Sequence, residues 1–501
     1  MRKVPAIRIR QLVDAPPRAE GSFVLYWMTA TRRLEWNFAL DHALHLAKSL
    51  GKPLLIFEAV SVAYPWASDR HHQALLDGMG EHREALSHTS VAYYPYVERR
   101  RGSGRGLLSS LAASACFVVT DDSLVFLNGR LLQAAGRLEG VGVQAVDSCG
   151  LLPLRAAERT FTAAYHFRRF LHKSLPEHLG DAPSRAPLSQ LDLLKLASLP
   201  EPILYRWSPA SAAELESRYF VSTLPIDHSV AATSWVGGAA AGRAALNGFV
   251  RDRLPRYFED RNHPDRDGAS GLSPWLHYGH LSSHEVFQAV IDAEGWSPLR
   301  LSEKADGRRN GWWGMSEPAE AFLDQLITWR ELGYGYSAHQ PDGARYEALP
   351  EWARNTLEDH VADRREYTYS LGKFAGAETH DDLWNAAQRQ LVQEGRIHNY
   401  LRMLWGKKIL EWTEHPREAL DVMIELNNRY AIDGRDPNSD SGIFWVMGRF
   451  DRGWPERPVF GKVRSMTSKS TRRKVDLEQY LAKWADRRPG AHAAYDPRGR
   501  P

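Results

Sequence analysis

Short runs of β-branched and aromatic residues alternate with segments of helical periodicity through the first 165 residues. This alternation limits the possible folds more than any other feature of the chain. Strands that alternate with helices favour a parallel sheet covered by helices, in which ligands usually bind beyond the carboxyl ends of the strands. We therefore predict a Rossmann-like parallel α/β domain. Its predicted strands are 22–28, 53–60, 91–97, 116–120 and 143–146.

A different pattern follows this region. Prolines are frequent between 180 and 209, and beyond them long helical patterns dominate, as at 317–332, 382–394 and 399–412. The sequence thus predicts an α/β domain joined by a long linker to an all-α domain. The predicted divisions are a flexible extension at 1–20, the α/β domain at 21–165, the linker at 166–235, the helical domain at 236–480 and a flexible tail at 481–501.

Composition excludes several classes of protein. No apolar run approaches the roughly 18 residues of a membrane span, and the basic residues 1–20 contain no apolar signal core, so a cytoplasmic protein without membrane contact is expected. The chain has only two cysteines, Cys116 and Cys149. These exclude a disulfide framework, a four-cysteine zinc site and an iron–sulfur cluster held by four thiolates, and no metal site is expected.

Charge is concentrated in one place. The net charge of +3 over 501 residues is small, yet 457–475 contains seven basic residues and no acidic one. Such a stretch suits phosphate binding, although a solvated flexible segment explains it equally well.

Several motifs in the second half resemble the photolyase/cryptochrome family, and class II photolyases in particular. The likeness spans about 250 contiguous residues, with a weaker match at 24–37. It implies an N-terminal antenna domain, a C-terminal FAD-binding domain, and light-dependent repair of cyclobutane pyrimidine dimers in DNA by a monomer. The matching stretches are RLPRY at 253–257, SGLSPWLHYG at 270–279, DDLWNAAQ at 381–388, HNYLRMLWGKKILEW at 398–412 and LNNRYAIDGRDPN at 426–438.

The resemblance assigns residues to FAD. Backbone amides and small hydroxyls that open a helix bind anions, which suits a pyrophosphate at 270–273, although Ser273 followed by Pro274 is also an ordinary helix start. Arg402 and Asp433 would pair beside the isoalloxazine, and Asn427 would face flavin N5. The implied flavin-binding residues are Tyr257, Ser270, Gly271, Leu272, Ser273, Arg402, Asn427, Asp433 and Asp436.

Three tryptophans match the residues that carry electrons to the flavin. Trp405 and Trp412 are seven residues apart on one predicted helix, which places them on one face about 10 Å apart along its axis. The resemblance implies that Trp405 lies nearest the flavin, Trp384 next to it, and Trp412 toward solvent. Core packing is the alternative explanation of each.

The resemblance also assigns residues to the damaged DNA. Glu331 would touch the dimer, where an apolar pocket favours its protonated, hydrogen-bond-donating form. Trp445 would pack against the flipped dimer and Trp454 would help to fill the gap in the duplex. The residues implied to hold the DNA backbone are Lys462, Arg464 and Arg472.

Two departures from the class II pattern leave alternatives open. The chain has Asn438, Ser439 and Asp440 where Asn-Gly-Tyr is usual, and Ser465 where an aromatic residue is usual. An added acid and a lost aromatic ring are expected to weaken DNA binding, which favours a cryptochrome-like blue-light photoreceptor as the alternative function. A redox flavoprotein that works in the dark is a weaker alternative, because nothing matches a nicotinamide site.

The antenna pigment is open as well. The resemblance implies a deazaflavin-type chromophore in the α/β domain. Cys149, however, stands where the corresponding loop often has a polar amide.

Overall fold

The computed structural model describes residues 3–124, 127–189, 192–340 and 342–485. The chain forms two compact units. From residue 486 onward the predicted tail lies outside the described residues, and the other predicted domain boundaries stay predictions. Unit 1 comprises Met1–Ala156, Ser174–Leu246 and Leu272–Ala289, and unit 2 comprises Ala157–Lys173, Asn247–Gly271 and Val290–Pro501.

Unit 1 is built on a six-stranded sheet with the order β1-β6-β5-β2-β3-β4. The neighbours from β6 to β4 pair in parallel, and β1 pairs antiparallel with β6. All five predicted strands are present, and every residue of β2 is buried, as expected for a parallel sheet covered on both faces. The strands are β1 Ile9–Val13, β2 Phe23–Met28, β3 Leu54–Val60, β4 Ala92–Val97, β5 Ala115–Asp121 and β6 Gly142–Val146.

Strand β1 corrects the sequence prediction, which placed residues 9–13 in a flexible extension. Polar residues interrupt this strand, so its sequence carries little strand signal. Its position depends on distant contacts of the preceding residue. Arg8 is buried and donates to Asp147 and to the carbonyls of Gly150 and Leu151.

The helices Phe38–Leu50, Asp69–Ser87 and Leu107–Ser114 pack against the sheet. Helix α1 begins after Asn37, whose side chain accepts from the Leu40 amide, and ends at Gly51 in the left-handed region. Short helices also lie inside the predicted linker. The helices in the first half of the chain are α1 Phe38–Leu50, α2 Asp69–Ser87, α3 Leu107–Ser114, α4 Asn128–Ala135, α5 Ala164–Ser174, α6 Glu201–Arg206, α7 Ala212–Glu216, α8 Arg218–Ser222 and α9 Ala239–Gly248.

The second half of the chain is helical among its described residues, as predicted. Its main apolar core packs α17, α18, α19 and α20 together and buries three of the predicted functional tryptophans. The helices are α10 Tyr257–Asp260, α11 Ser273–His277, α12 Ser283–Ala293, α13 Glu317–Leu323, α14 Arg330–His339, α15 Glu351–Asp359, α16 Leu371–Ala375, α17 Asp382–Glu394, α18 Asn399–Glu411, α19 Pro416–Tyr430, α20 Pro437–Val446, α21 Ser468–Arg472 and α22 Glu478–Trp484.

Irregular helical turns join several of these elements. A π-helical turn, Asp324–Trp329, leads directly into α14. Such turns often occur beside functional residues, and α14 carries Glu331. The other π-helical turn is Phe249–Arg253, and the 3₁₀ turns are Ala6–Arg8, Leu175–His178, Leu254–Arg256, Pro264–Arg266, Pro298–Arg300 and Tyr346–Ala348.

Candidate functional site

Three indoles of unit 2 form a continuous contact chain. The rings of Trp384 and Trp405 are stacked, with centroids 6.4 Å apart and planes 4° apart, and the centroids of Trp384 and Trp412 are 6.0 Å apart. Trp384 Nε1 donates to the Trp405 carbonyl at 3.0 Å, and Trp405 Nε1 donates to Gln388 Oε1 at 2.9 Å. These bonds fix the rings, so the structure brings the three tryptophans together in the order 405, 384, 412.

The position of Trp412 corrects the expectation that it lies toward solvent. Helix α18 ends at Glu411, and the Trp412 side chain turns into the core with 3% exposure. Its ring meets Tyr369 at 5.6 Å and His380 at 4.9 Å, and Tyr367 stacks on His380 at 3.7 Å. His380 and Tyr367 are both exposed, so this aromatic chain reaches the surface at these two rings and not at Trp412.

The ionic pair predicted beside the flavin is present. Arg402 Nη2 lies 3.4 Å from Asp433 Oδ1, with both side chains largely shielded from water. Asn427 is buried near the end of α19, and its Nδ2 donates to Asn428 Oδ1 at 3.1 Å and to Ser439 Oγ at 3.0 Å. The polar groups expected at the isoalloxazine are therefore buried and held in fixed orientations.

Asp436 has a structural role at the start of α20. Its Oδ1 accepts from the Asn438 amide at 2.8 Å as the helix cap, and its Oδ2 accepts from the Tyr334 hydroxyl at 2.9 Å. These bonds tie α20 to α14. The flavin contact of Asp436 stays a prediction.

In and before the predicted phosphate loop, Tyr257 and Arg253 are held by contacts with the protein, whereas the backbone at Gly271 is accessible. Tyr257 is buried against Phe249 and Phe322, and burial raises the pKa of its hydroxyl. Arg253 Nη1 donates to the Ala269 carbonyl at 3.0 Å. Gly271 has a φ of 70°, and a Cβ added there would meet no atom within 4 Å. The backbone at Gly271 is therefore open to a ligand.

The helix that follows this loop is short. Helix α11 has five residues and no side-chain cap, and Leu272, not Ser273, occupies its N-cap position. Ser270 and Gly271 belong to unit 2, whereas Leu272 and Ser273 belong to unit 1. A five-residue helix has a weak dipole, so phosphate binding here would depend mainly on the loop amides.

His398 is a functional candidate that sequence reasoning missed. Both of its ring nitrogens are buried without a hydrogen-bond partner among the described residues, and its carbonyl accepts from the Arg402 amide. Burial, aided by Arg396, lowers the pKa of His398 to about 4, so the ring is neutral at pH 7. An unpaired buried imidazole directly before the helix that carries Arg402 is a candidate to bind a polar cofactor. The sequence feature that points to His398 is its position as the first residue of the 398–412 motif.

The residues predicted to meet the lesion lie on two closely packed helices. Glu331 is 5% exposed on α14, and Trp445 is partly exposed on α20. A Cβ added at Gly333 would lie 2.6 Å from Ser441 Oγ and 2.8 Å from the Pro437 carbonyl. Gly333 therefore permits the close approach of the two helices that carry these side chains.

Cations and indoles interleave around Trp445. The Arg464 guanidinium lies 4.2 Å from the Trp454 ring and 5.9 Å from the Trp445 ring, and Lys407 Nζ lies 5.1 Å from Trp445. Lys407 is fully buried and donates to the Val446 carbonyl at 2.5 Å. Burial lowers the pKa of its ammonium to about 7, opposed by Asp451. Lys407 was not predicted, because nothing in the sequence distinguishes it from the neighbouring Lys408.

The predicted phosphate contacts differ in availability. Lys462 is exposed, whereas Arg472 forms an ion pair with Asp382.

Burial and the neighbouring Asp436 raise the pKa of Asp440 to about 7. Asp440 therefore carries less negative charge near neutral pH than an ordinary aspartate, which weakens the argument that it repels DNA.

The carboxyl ends of the strands in unit 1 are occupied by their own side chains. Asp121 Oδ2 accepts from three successive amides, those of Thr29, Ala30 and Thr31, and Cys149 Sγ lies 3.6 Å from the Asp122 carbonyl oxygen. This concavity of amides would otherwise suit an external anion. The described part of unit 1 thus provides no separate support for an antenna pigment at this edge.

The described residues lack two kinds of feature. None of their helices has the length and apolar character needed to cross a membrane. They also contain no cluster of three or more histidine, cysteine or acidic side chains suited to a metal ion.

Comparison with known proteins identifies the family. No family model matches the chain. It is 35% identical over 482 residues to the deoxyribodipyrimidine photo-lyase of Methanothermobacter thermautotrophicus, covering 95% of this chain and 98% of that protein. It is 34% identical over 480 residues to that of Oryza sativa subsp. japonica, covering 92% and 87%. The crystal structure of a bacterial class III photolyase from Agrobacterium tumefaciens shares the fold, with a TM-score of 0.67 and 19% identity over 93% and 86% of the two chains.

The similarity to the archaeal relative extends along almost the whole length of both proteins. The structural neighbour agrees in fold, with an α/β unit and a helical unit. The chain belongs to the deoxyribodipyrimidine photo-lyase family.

Proposed function

We propose that this protein is a class II photolyase that binds FAD and repairs cyclobutane pyrimidine dimers in DNA under light. The contact chain of Trp405, Trp384 and Trp412 is the observation that carries this proposal. These residues lie in the motifs that resemble class II. Relatives named deoxyribodipyrimidine photo-lyase add support, because their similarity extends over more than nine-tenths of the chain.

The proposed mechanism divides the work between cofactor and protein. FAD, when bound, supplies an electron to the dimer in light and recovers it after the dimer has split. The three indoles carry electrons toward the flavin through rings whose centroids are about 6 Å apart. Arg402 and Asp433 hold a fixed pair of charges beside the isoalloxazine, and Asn427 provides an amide for flavin N5.

The lesion pocket is proposed to use Glu331 and Trp445. A buried carboxyl group can stay protonated and donate a hydrogen bond to a dimer carbonyl as negative charge arrives. Trp445 supplies a stacking surface for the extruded bases, with Lys407 beneath its ring. Arg464 holds Trp454 near the duplex gap, and exposed Lys462 contacts the backbone.

The proposal also covers the oligomeric state, the cellular location and the antenna pigment of the enzyme. We propose that it works as a monomer in the cytoplasm and takes a deazaflavin-type antenna in unit 1. An antenna would need a site other than the amides that Asp121 already occupies.

The decisive test measures dimer loss. The purified protein is checked for flavin absorption, photoreduced, and mixed with an oligonucleotide that contains a thymine dimer, under blue light and in the dark. We expect light-dependent repair that collapses in Glu331→Ala and survives in Glu366→Ala, a matched change at an exposed glutamate of the same unit. Photoreduction without dimer loss would contradict the proposal and favour the photoreceptor alternative.

A further inference from the structure

Ser439 makes an unexpected contact at the candidate flavin site. The class II pattern has glycine at this position, and the serine is 5% exposed in the first turn of α20. Its Oγ lies 3.0 Å from Asn427 Nδ2 and 3.3 Å from Asn427 Oδ1. The hydroxyl therefore bonds the amide that is proposed to face flavin N5.

The neighbouring hydrogen bonds decide which way this amide is oriented. Asn428 Oδ1 accepts from the Arg435 backbone amide at 3.0 Å, and that amide can only donate. The atom of Asn427 that lies 3.1 Å from the same oxygen must therefore be the donor, Nδ2. Nδ2 of Asn427 donates to Asn428 Oδ1 and to Ser439 Oγ, which uses both of its N–H groups. The Ser439 hydroxyl donates back to Asn427 Oδ1 at 3.3 Å, so one lone pair of Oδ1 is left for a ligand.

The turn between α19 and α20 produces this arrangement. A Cβ added at Gly434 would lie 2.8 Å from the Asn427 carbonyl oxygen, so the chain folds back tightly against the end of α19. The Asp436 cap then starts α20 with Ser439 beside Asn427. Ser441, two residues further, bonds instead to the Pro437 carbonyl at 2.7 Å.

We propose that Ser439 is a positioning residue that sets the reduction potential of the flavin through Asn427. This inference rests on the proposed function. Flavin N5 accepts a hydrogen bond when oxidised and donates one when reduced and protonated. Ser439 occupies Nδ2 and takes only one of the two lone pairs of Oδ1, so the second lone pair of Oδ1 is the group of Asn427 available to N5. The serine thus favours the reduced cofactor, which is the form that repairs DNA, and glycine at this position does so less.

The test measures the flavin reduction potential by spectroelectrochemistry of the flavin-bound protein. Loss of one net hydrogen bond in Ser439→Ala or Ser439→Gly is expected to shift the equilibrium toward oxidised flavin about three- to tenfold. For a two-electron couple this lowers the potential by about 15–30 mV. Ser439→Thr keeps the hydroxyl and is expected to retain the potential, and Ser441→Ala, on the same helix, serves as the matched control.

Asn427→Ala separates this inference from the proposed function. In the Asn427→Ala variant, the additional change Ser439→Ala is expected to leave the reduction potential unaltered, because Ser439 acts on the flavin only through Asn427. If Asn427→Ala shifts the potential and Ser439→Ala does not, only the role of Ser439 is overturned. If Asn427→Ala also leaves the potential unchanged, the role of Asn427 in the proposed function falls with it. Absence of bound flavin would overturn both.

Discussion

Two buried polar side chains, Glu58 in unit 1 and His398 in unit 2, differ in whether the protein itself supplies their hydrogen-bond partners. In unit 1, Glu58 is fully buried on β3 and is bound by Arg32 at 2.6 Å, His82 at 2.9 Å and Tyr93 at 2.6 Å. In unit 2, both ring nitrogens of His398 are buried without a partner among the described residues. A closed network stabilises a fold, whereas unsatisfied buried groups persist where a ligand completes them. The contrast makes His398 a candidate ligand-binding group, in line with the flavin site proposed in unit 2.

The largest expected effect concerns the closed network. Burial alone would raise the pKa of Glu58, but His82, Arg32 and Tyr93 together lower it to about 2. Glu58→Gln leaves Arg32 and His82 without their carboxylate and is expected to lower the free energy of unfolding at pH 7 by about 3 kcal/mol. Urea denaturation measures this loss, while the flavin content of the folded protein is expected to stay unchanged.

The pH dependence of this variant has a definite sign. Because the pKa is lower in the folded state, the stabilisation by Glu58 is present above pH 4.5 and is lost as the pH falls toward 2. The difference between wild type and Glu58→Gln therefore shrinks on acidification. Glu84→Gln, at an exposed glutamate of the same unit, is the control, with an expected change within about 0.5 kcal/mol. Loss of flavin in Glu58→Gln would break the contrast between the units.

The second prediction tests the contact chain of indoles. Trp384 lies between Trp405 and Trp412, so Trp384→Phe interrupts the chain and is expected to slow flavin photoreduction by more than an order of magnitude. Absorption changes under blue light with an external reductant measure the rate. Trp312→Phe is the matched control, because Trp312 is equally buried but stacks on His172 instead. Equal rates in the two variants would show that electrons take another path.

The fold was largely predictable because its signals are local. The central strands are short, apolar and β-branched, and the helices carry clear periodicity. Strand β1 was not predictable in this way. Its position depends on the buried Arg8, which pairs with Asp147 far along the chain.

The candidate site was predictable only where motifs name its residues. The family pattern named Trp384, Trp405 and Trp412, which the structure brings into contact, but the burial of Trp412 depends on rings from a separate segment of the chain. Similarly, the bond between Ser439 and Asn427 requires the tight turn at Gly434. Such contacts depend on tertiary geometry, which spacing along the sequence does not determine.

A third, smaller effect concerns another buried polar group of unit 2, the carboxyl group of Asp440. Burial and Asp436 raise the pKa of Asp440 to about 7, whereas an ordinary aspartate has a value of 3.8. Ionisation of Asp440 therefore destabilises the folded protein as the pH rises from about 4 through 7. At pH 8, Asp440→Asn is expected to be more stable than wild type by about 1–2 kcal/mol, and the difference vanishes near pH 4.

Thermal denaturation across this pH range measures the Asp440 effect. Asp421→Asn, at an exposed aspartate on α19, is expected to show no such pH-dependent gain. A constant difference between wild type and Asp440→Asn at every pH would contradict the raised pKa and restore the charge-repulsion argument.

The smallest expected effect concerns His398 and is measured as a change in the FAD dissociation constant. If the His398 ring binds FAD, His398→Phe removes that hydrogen bond but preserves an aromatic side chain, and the FAD dissociation constant is expected to rise about fivefold. Because burial and Arg396 keep the pKa of His398 at about 4, the effect should be constant between pH 6 and 8. Titration of apoprotein with FAD measures the constant, with His166→Phe, at an exposed histidine of α5, as control. An unchanged constant would mean that His398 is left unsatisfied without a ligand to complete it, and its contrast with Glu58 would then give no support to a flavin site in unit 2.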